Sequence, residues 1–179
     1  MRPREHAVTS ALSMHTRSMR WGGLVLVALG MPATAAAHSR LVQPPSRSEI
    51  DFLMEGPCGG EPRGEPMQYE AGELVEMRWA ATQSHSNSYR VAFSPADDEG
   101  FEENVLGSRP DDPEVFDYVQ PVPMPMCTCD DCTLQLRQLT ETGMLAYFSC
   151  ADIQLVAPEG VELPECLLSG SGSAGRMLT

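Results

Sequence analysis

Lysine is absent from this chain, and its positive side chains, twelve arginines, face 25 acids. Residues 38–179 hold eight of those arginines and 24 of the acids. So acidic a surface repels phosphate, which argues against nucleic acid and anionic membrane as partners. A solvated acidic surface is the plain account of most of that charge. No apolar run long enough to span a membrane follows residue 37, so no membrane helix is expected. Aromatic residues make up only 6% of the chain. With Trp79 read as internal, Tyr69, Tyr118 and Phe52 are thin material for a carbohydrate-stacking platform. The G-x-S-x-G elbow of serine hydrolases is missing, and acids are too common for spacing to single out a glycosidase pair.

The N-terminal region has a clear pattern. Arg17 and Arg20 precede an apolar stretch over 21–33, which closes on Ala35-Ala36-Ala37. A charged start, a short apolar run and an A-x-A end are the parts of a secretory signal peptide. Residues 1–37 are therefore expected to be removed on export, with Met14 and Met19 as alternative starts. Cleavage after Ala37 makes His38 the first residue, and His85 is then the one other histidine.

All six cysteines lie beyond that point: Cys58, Cys127, Cys129, Cys132, Cys150 and Cys166. An even count in an exported chain reads as disulfides. The Cys127-Thr128-Cys129-Asp130-Asp131-Cys132 string also admits zinc or redox readings. Zinc calls for a second C-x-x-C or a histidine pair, and a redox motif for a βαβ setting; neither is present. The pairs expected are Cys58–Cys150, Cys129–Cys132 and Cys127–Cys166.

Hydrophobic periodicity is that of strands. Val75, Met77 and Trp79 alternate with Glu76 and Arg78, and Tyr89, Val91 and Phe93 with Arg90 and Ala92. Leu134 and Leu136 repeat the pattern, and 144–156 reads as one longer strand. Residues 41–42 and 115–119 are weaker candidates, and 101–106 suggests a single helical turn. Stretches rich in Gly, Pro and Asp at 56–60, 95–99 and 109–113 punctuate them. The fold expected is an all-β, immunoglobulin/fibronectin III-like antiparallel sandwich stapled by disulfides, spanning 38–160. Residues 161–179, ending in a Gly/Ser-rich run, are expected to form a flexible tail.

The chemistry concentrates on two histidines. A free α-amine beside an imidazole lets His38 offer two nitrogens, and His85 in Gln83-Ser84-His85-Ser86-Asn87 offers a third. Copper(II) favours such a tetragonal nitrogen set. The competing account is an accidental N-terminal histidine and an exposed loop histidine. In Tyr147-Phe148-Ser149-Cys150, strand alternation lets at most one aromatic face the metal.

The string His38-Ser39-Arg40-Leu41-Val42-Gln43-Pro44-Pro45-Ser46-Arg47-Ser48 resembles the mature start of bacterial copper-dependent lytic polysaccharide monooxygenases and their chitin-binding (type-4-like) relatives. Gly56-Pro57-Cys58-Gly59-Gly60, Tyr89-Arg90-Val91-Ala92-Phe93-Ser94-Pro95, Asn104-Val105-Leu106-Gly107, Cys132-Thr133-Leu134-Gln135-Leu136-Arg137-Gln138 and Tyr147-Phe148-Ser149-Cys150-Ala151-Asp152-Ile153 follow in order and resemble a small bacterial subgroup. The resemblance implies a secreted monomer with one copper ion in a histidine brace of His38 and His85. It implies Tyr147 on the axial side, with Phe148 as the alternative, and Gln135 or Gln138 as a supporting neighbour. It further implies an external electron donor, an insoluble polysaccharide such as chitin or cellulose, and oxidation at sugar C1 or C4. Two positions depart from the pattern. Ser86-Asn87 stands where Pro-Gly is expected, and Leu145 stands where fungal members carry glutamine. A non-catalytic copper carrier and a metal-free polysaccharide-binding module are the alternatives.

Overall fold

The computed structural model describes residues 39–168; the expected signal peptide, His38 and residues 169–179 lie outside the described residues. The strands are β1 (Ser39–Gln43), β2 (Met67–Glu70), β3 (Leu74–Ala81), β4 (Ser88–Ser94), β5 (Val105–Pro110), β6 (Asp117–Pro123), β7 (Cys129–Leu139) and β8 (Ala146–Val156). They form two sheets, of order β1-β3-β6 and β2-β8-β7-β4-β5. Neighbours pair antiparallel except β2 and β8, which run parallel. Among the described residues no helix is long and apolar enough to cross a membrane.

Alternation in the sequence becomes burial in the structure. In β3, Val75, Met77 and Trp79 point inward while Leu74, Glu76 and Arg78 face out. Leu41, Trp79, Tyr118 and Val122 from the smaller sheet meet Tyr89, Leu134, Leu136 and Ile153 from the larger. Each such side chain contributes about 1.5–3 kcal/mol on full burial, which is what holds the sheets face to face.

The outer face of the larger sheet is not bare. Cys58, Ala92, Phe101 and Cys150 form a second small apolar cluster there. Cys58 is joined to Cys150, and the Phe148 amide donates to the Leu53 carbonyl at 2.8 Å. Arg47 crosses the same face. Its buried guanidinium binds Asp152 at 2.6 Å and Asp98 at 2.7 Å, and Thr133 Oγ1 donates to Asp98 at 2.6 Å.

Disulfides also join Cys127 to Cys166 and Cys129 to Cys132, so the pairs are those expected. The first of these moves a boundary. Residues 161–168 were expected in the tail, yet the Thr128 amide donates to the Pro164 carbonyl and the Cys166 amide to the Thr128 carbonyl, both at 2.9 Å. The chain is therefore fastened as far as Cys166. The turn expected over 101–106 shrinks to one bond, from the Asn104 amide to the Gly100 carbonyl, and β5 begins at Val105. Pro110 ends an edge strand, where a missing amide leaves no ladder bond unmade.

Candidate metal centre

One end of the sandwich gathers the start of β1, the 82–87 loop after β3, the 111–116 connection after β5 and the 140–145 turn between β7 and β8. His85 sits in the first of those loops. Its ring stacks on Tyr147, with centroids 5.1 Å apart and planes inclined by 23°. Tyr147 is the second residue of β8 and is registered opposite Gln138 of β7. Directly opposed residues share a face, so Tyr147 and Gln138 both turn toward the smaller sheet. Phe148, registered opposite Arg137, faces away, and the Arg137 guanidinium lies 5.6 Å over its ring.

His38 lies outside the described residues, but the residue it precedes is well placed. Ser39 is buried and registered opposite Ala81, the last residue of β3. The 82–87 loop leaves from that point. Farther along β1, the Leu41 amide donates to Ser149 Oγ at 3.0 Å, and Ser149 lies two residues beyond Tyr147. Thus the entry of β1, the His85 loop and the start of β8 share one end of the fold.

The loop itself is firmly held. The His85 amide donates to Asp111 Oδ2 at 2.7 Å. Gln138 Nε2 lies 2.9 Å from each of three acceptors: the Gln83 carbonyl, Asp111 Oδ2 and Tyr89 Oη. Asn87 Nδ2 donates to the Thr140 carbonyl at 2.8 Å. Ser86 adopts φ 55°, and its amide donates to Ser84 Oγ at 3.1 Å. The left-handed residue is thus Ser86, which stands where proline was expected, so this loop turns differently from a Pro-Gly loop. Burial, followed by the neighbouring Asp111 and Tyr118, raises the Tyr89 phenol far above its usual range, so it stays a neutral hydrogen-bond donor.

A depression of about 330 Å³ borders His85, with Gln83, Ser86, Thr140 and Leu145 in its lining. Gln135 is elsewhere. It lies three residues before Gln138 and so on the opposite face, donating to the Pro57 carbonyl at 2.8 Å. With Phe148 it lines a separate cavity of about 350 Å³ beside Arg137 and Glu102. Tyr118, expected as platform material, is instead 1% exposed and stacked on Trp79 at 5.2 Å. Exposed apolar groups at the His85 end are Phe116, Met144 and Leu145. Sequence reasoning passed over Phe116 and Asp111; the latter sat in a string read only as a turn.

Among the described residues, no three His, Cys, Asp or Glu converge as a metal site. The described donor is a single imidazole, stacked against a buried phenol. A copper ion fits here only with further nitrogen donors from the residue ahead of Ser39, and the placing of Ser39 is compatible with that.

No protein-family model matches the chain, and no curated protein matches it by sequence. Solved structures do. A lytic polysaccharide monooxygenase AA15 from Thermobia domestica, in the Cu(I) state, is 17% identical with a TM-score of 0.51, covering 67% of this chain and 99% of that one. An AA10 lytic polysaccharide monooxygenase from Streptomyces lividans is 10% identical with a TM-score of 0.50, covering 65% and 99%. A chitin-binding domain from Burkholderia pseudomallei is 11% identical with a TM-score of 0.50, covering 67% and 100%. At such identities the likeness is one of fold: this chain has the β-sandwich of those monooxygenases and that chitin-binding domain.

Proposed function

We propose that the chain is an exported copper protein that oxidises an insoluble polysaccharide of the chitin or cellulose type. In this reading, cleavage after Ala37 frees the His38 amine. The amine and Nδ1 of His38 and the imidazole of His85 would hold the copper, with Tyr147 beside them. The observation that carries the reading is the His85–Tyr147 stack at the end of the sandwich where β1 begins. Bound copper supplies one-electron chemistry toward oxygen or hydrogen peroxide, fed by an external donor.

The protein's own groups do the rest. Tyr147, 9% exposed, covers one face of the His85 ring and limits solvent there. The loop bonds hold the His85 backbone and Tyr147 holds its ring without a metal, which lowers the ordering cost of binding. Phe116, Met144 and Leu145, between 52% and 83% exposed, offer apolar contact to a sugar chain at that end.

The test is copper titration with EPR on protein beginning at His38, beside a form carrying one extra residue before it. The extended form is expected to lose the three-nitrogen spectrum. Copper-loaded protein with a reductant is expected to release oxidised oligosaccharides from chitin or cellulose. Tight copper binding with no product from either polymer would replace oxidation by a carrier role. Leu145, in the position where the fungal pattern has glutamine, favours that second reading. Polymer binding unchanged in His38→Ala, with no copper held by the parent, would leave a metal-free binding module.

A further inference from the structure

We propose that Asp111 and Gln138 are positioning residues for His85, a pair that pins its loop from below and holds the imidazole against Tyr147. The inference draws its consequence for copper from the function proposed above, but the placing of the ring is a property of the protein alone.

Asp111 is 5% exposed and Gln138 fully buried. Asp111 Oδ2 receives both the His85 amide, at 2.7 Å, and Gln138 Nε2, at 2.9 Å. Gln138 Nε2 also reaches the Gln83 carbonyl, so the chain is gripped on two sides of Ser84. From the other side, Tyr89 Oη lies 3.3 Å and Tyr118 Oη 3.5 Å from Asp111 Oδ1. The carboxylate thus ties the loop to the aromatic core, where Trp79, Tyr89 and Tyr118 pack with centroids 4.8–5.4 Å apart.

The Gln138 amide is oriented by its neighbours, because the Gln83 carbonyl and the Asp111 carboxylate only accept. That orientation leaves Gln138 Oε1 buried without a hydrogen-bond partner among the described residues. A buried acceptor left unpaired is destabilising, and an aliphatic side chain of similar size carries no such penalty. An amide retained at that cost makes sense through what its nitrogen holds, namely the two acceptors that fix the loop. The link to Tyr147 then follows from register, since Gln138 and Tyr147 are direct cross-strand partners.

The experiment is NMR on metal-free, isotope-labelled protein beginning at His38, followed by copper titration. Asp111→Ala is expected to speed exchange of the His85 amide by about tenfold or more and to erase the His85–Tyr147 ring stack. Asp111→Asn is expected to keep both, because its amide oxygen can take the place of Oδ2. Copper(II) affinity should fall about 10- to 100-fold in the alanine variant, as when a ligand's supporting partner is removed. An unchanged His85 amide and ring stack in Asp111→Ala overturns the proposal, as does equal loss in Asp111→Asn. If Asp111→Ala does not fold, Gln138→Leu decides: a loosened ring stack supports positioning, and a lower Tm with an intact stack assigns the glutamine to the fold alone. A parent that binds no copper, with these NMR changes as expected, sinks the copper reading and leaves the positioning pair standing.

Discussion

Arg47 is one residue on which several segments depend, since its guanidinium, 2% exposed, links two acids on different parts of the chain. Arg47→Met is expected to cost up to about 3–5 kcal/mol in denaturant unfolding, because it leaves the buried Asp152 with only Arg63 and the Gly64 amide as partners. The same cluster sets an acid limit. Burial alone would raise the Asp98 carboxyl, but hydrogen bonds from Arg47 and Thr133 and the charges of Arg47 and Arg63 outweigh it and hold the group below the usual range. A depressed carboxylate stabilises the fold above its unfolded pKa of about 4 and loses that contribution as pH falls through the folded value. Melting curves taken at successively lower pH should therefore show stability falling below about pH 4, with a shallower fall in Asp98→Asn; equal slopes would remove Asp98 from the account. Individual site residues were unevenly legible. His85 stood out because histidine is scarce. Alternation said only that Tyr147 and Phe148 part ways, and the register of β7 against β8 decided which one meets His85. Asp111 gave no signal, because the partners that tie it to the loop, His85 and Gln138, lie 26 and 27 residues away in sequence.

Strands with strict alternation were the readable elements. β3 buries one face and leaves the other mostly exposed. β4 and the middle of β7 keep apolar residues at every inward position with Arg90 or Arg137 beside them, so polarity of period two marks all three although loops cover much of the outer face of the larger sheet. β2 and β5 escaped notice for a shared reason. Both are sheet edges with little burial, and MQYE and VLGSRP carry no apolar face to betray them. The β7–β8 hairpin illustrates how cross-links divide labour between faces. On the outer face Cys58–Cys150 fastens the 51–60 loop, while Tyr147 and Gln138 work on the inner one. The double variant Cys58→Ser/Cys150→Ser is thus expected to lose about 2–4 kcal/mol and to expose that loop to limited proteolysis. Its His85–Tyr147 stack should persist in NMR spectra; a stack that vanished with the disulfide would show the two faces to be coupled.

At the level of the whole molecule, charge governs what the protein approaches. With 25 acids against twelve arginines and no lysine, long-range attraction favours cationic material and leaves neutral polymers to short-range contact. Pull-down on chitin or cellulose should therefore change little between about 0.01 M and 1 M salt, where the screening length shrinks from about 30 Å to 3 Å. Binding to a cationic glucosamine polymer should weaken over the same range. A chitin interaction that collapses with salt would contradict a neutral, apolar contact through Phe116, Met144 and Leu145. The sheet order has a consequence for biosynthesis. β2, near the start of the described chain, finds its partner only in β8, the last strand. A nascent polypeptide that has not reached residue 156 leaves β2 without its partner and one side of β7 unpaired, so the larger sheet closes only when the last strand arrives. On the export proposed above, such a chain would pass a translocation pore as slack thread and take its shape only on the far side.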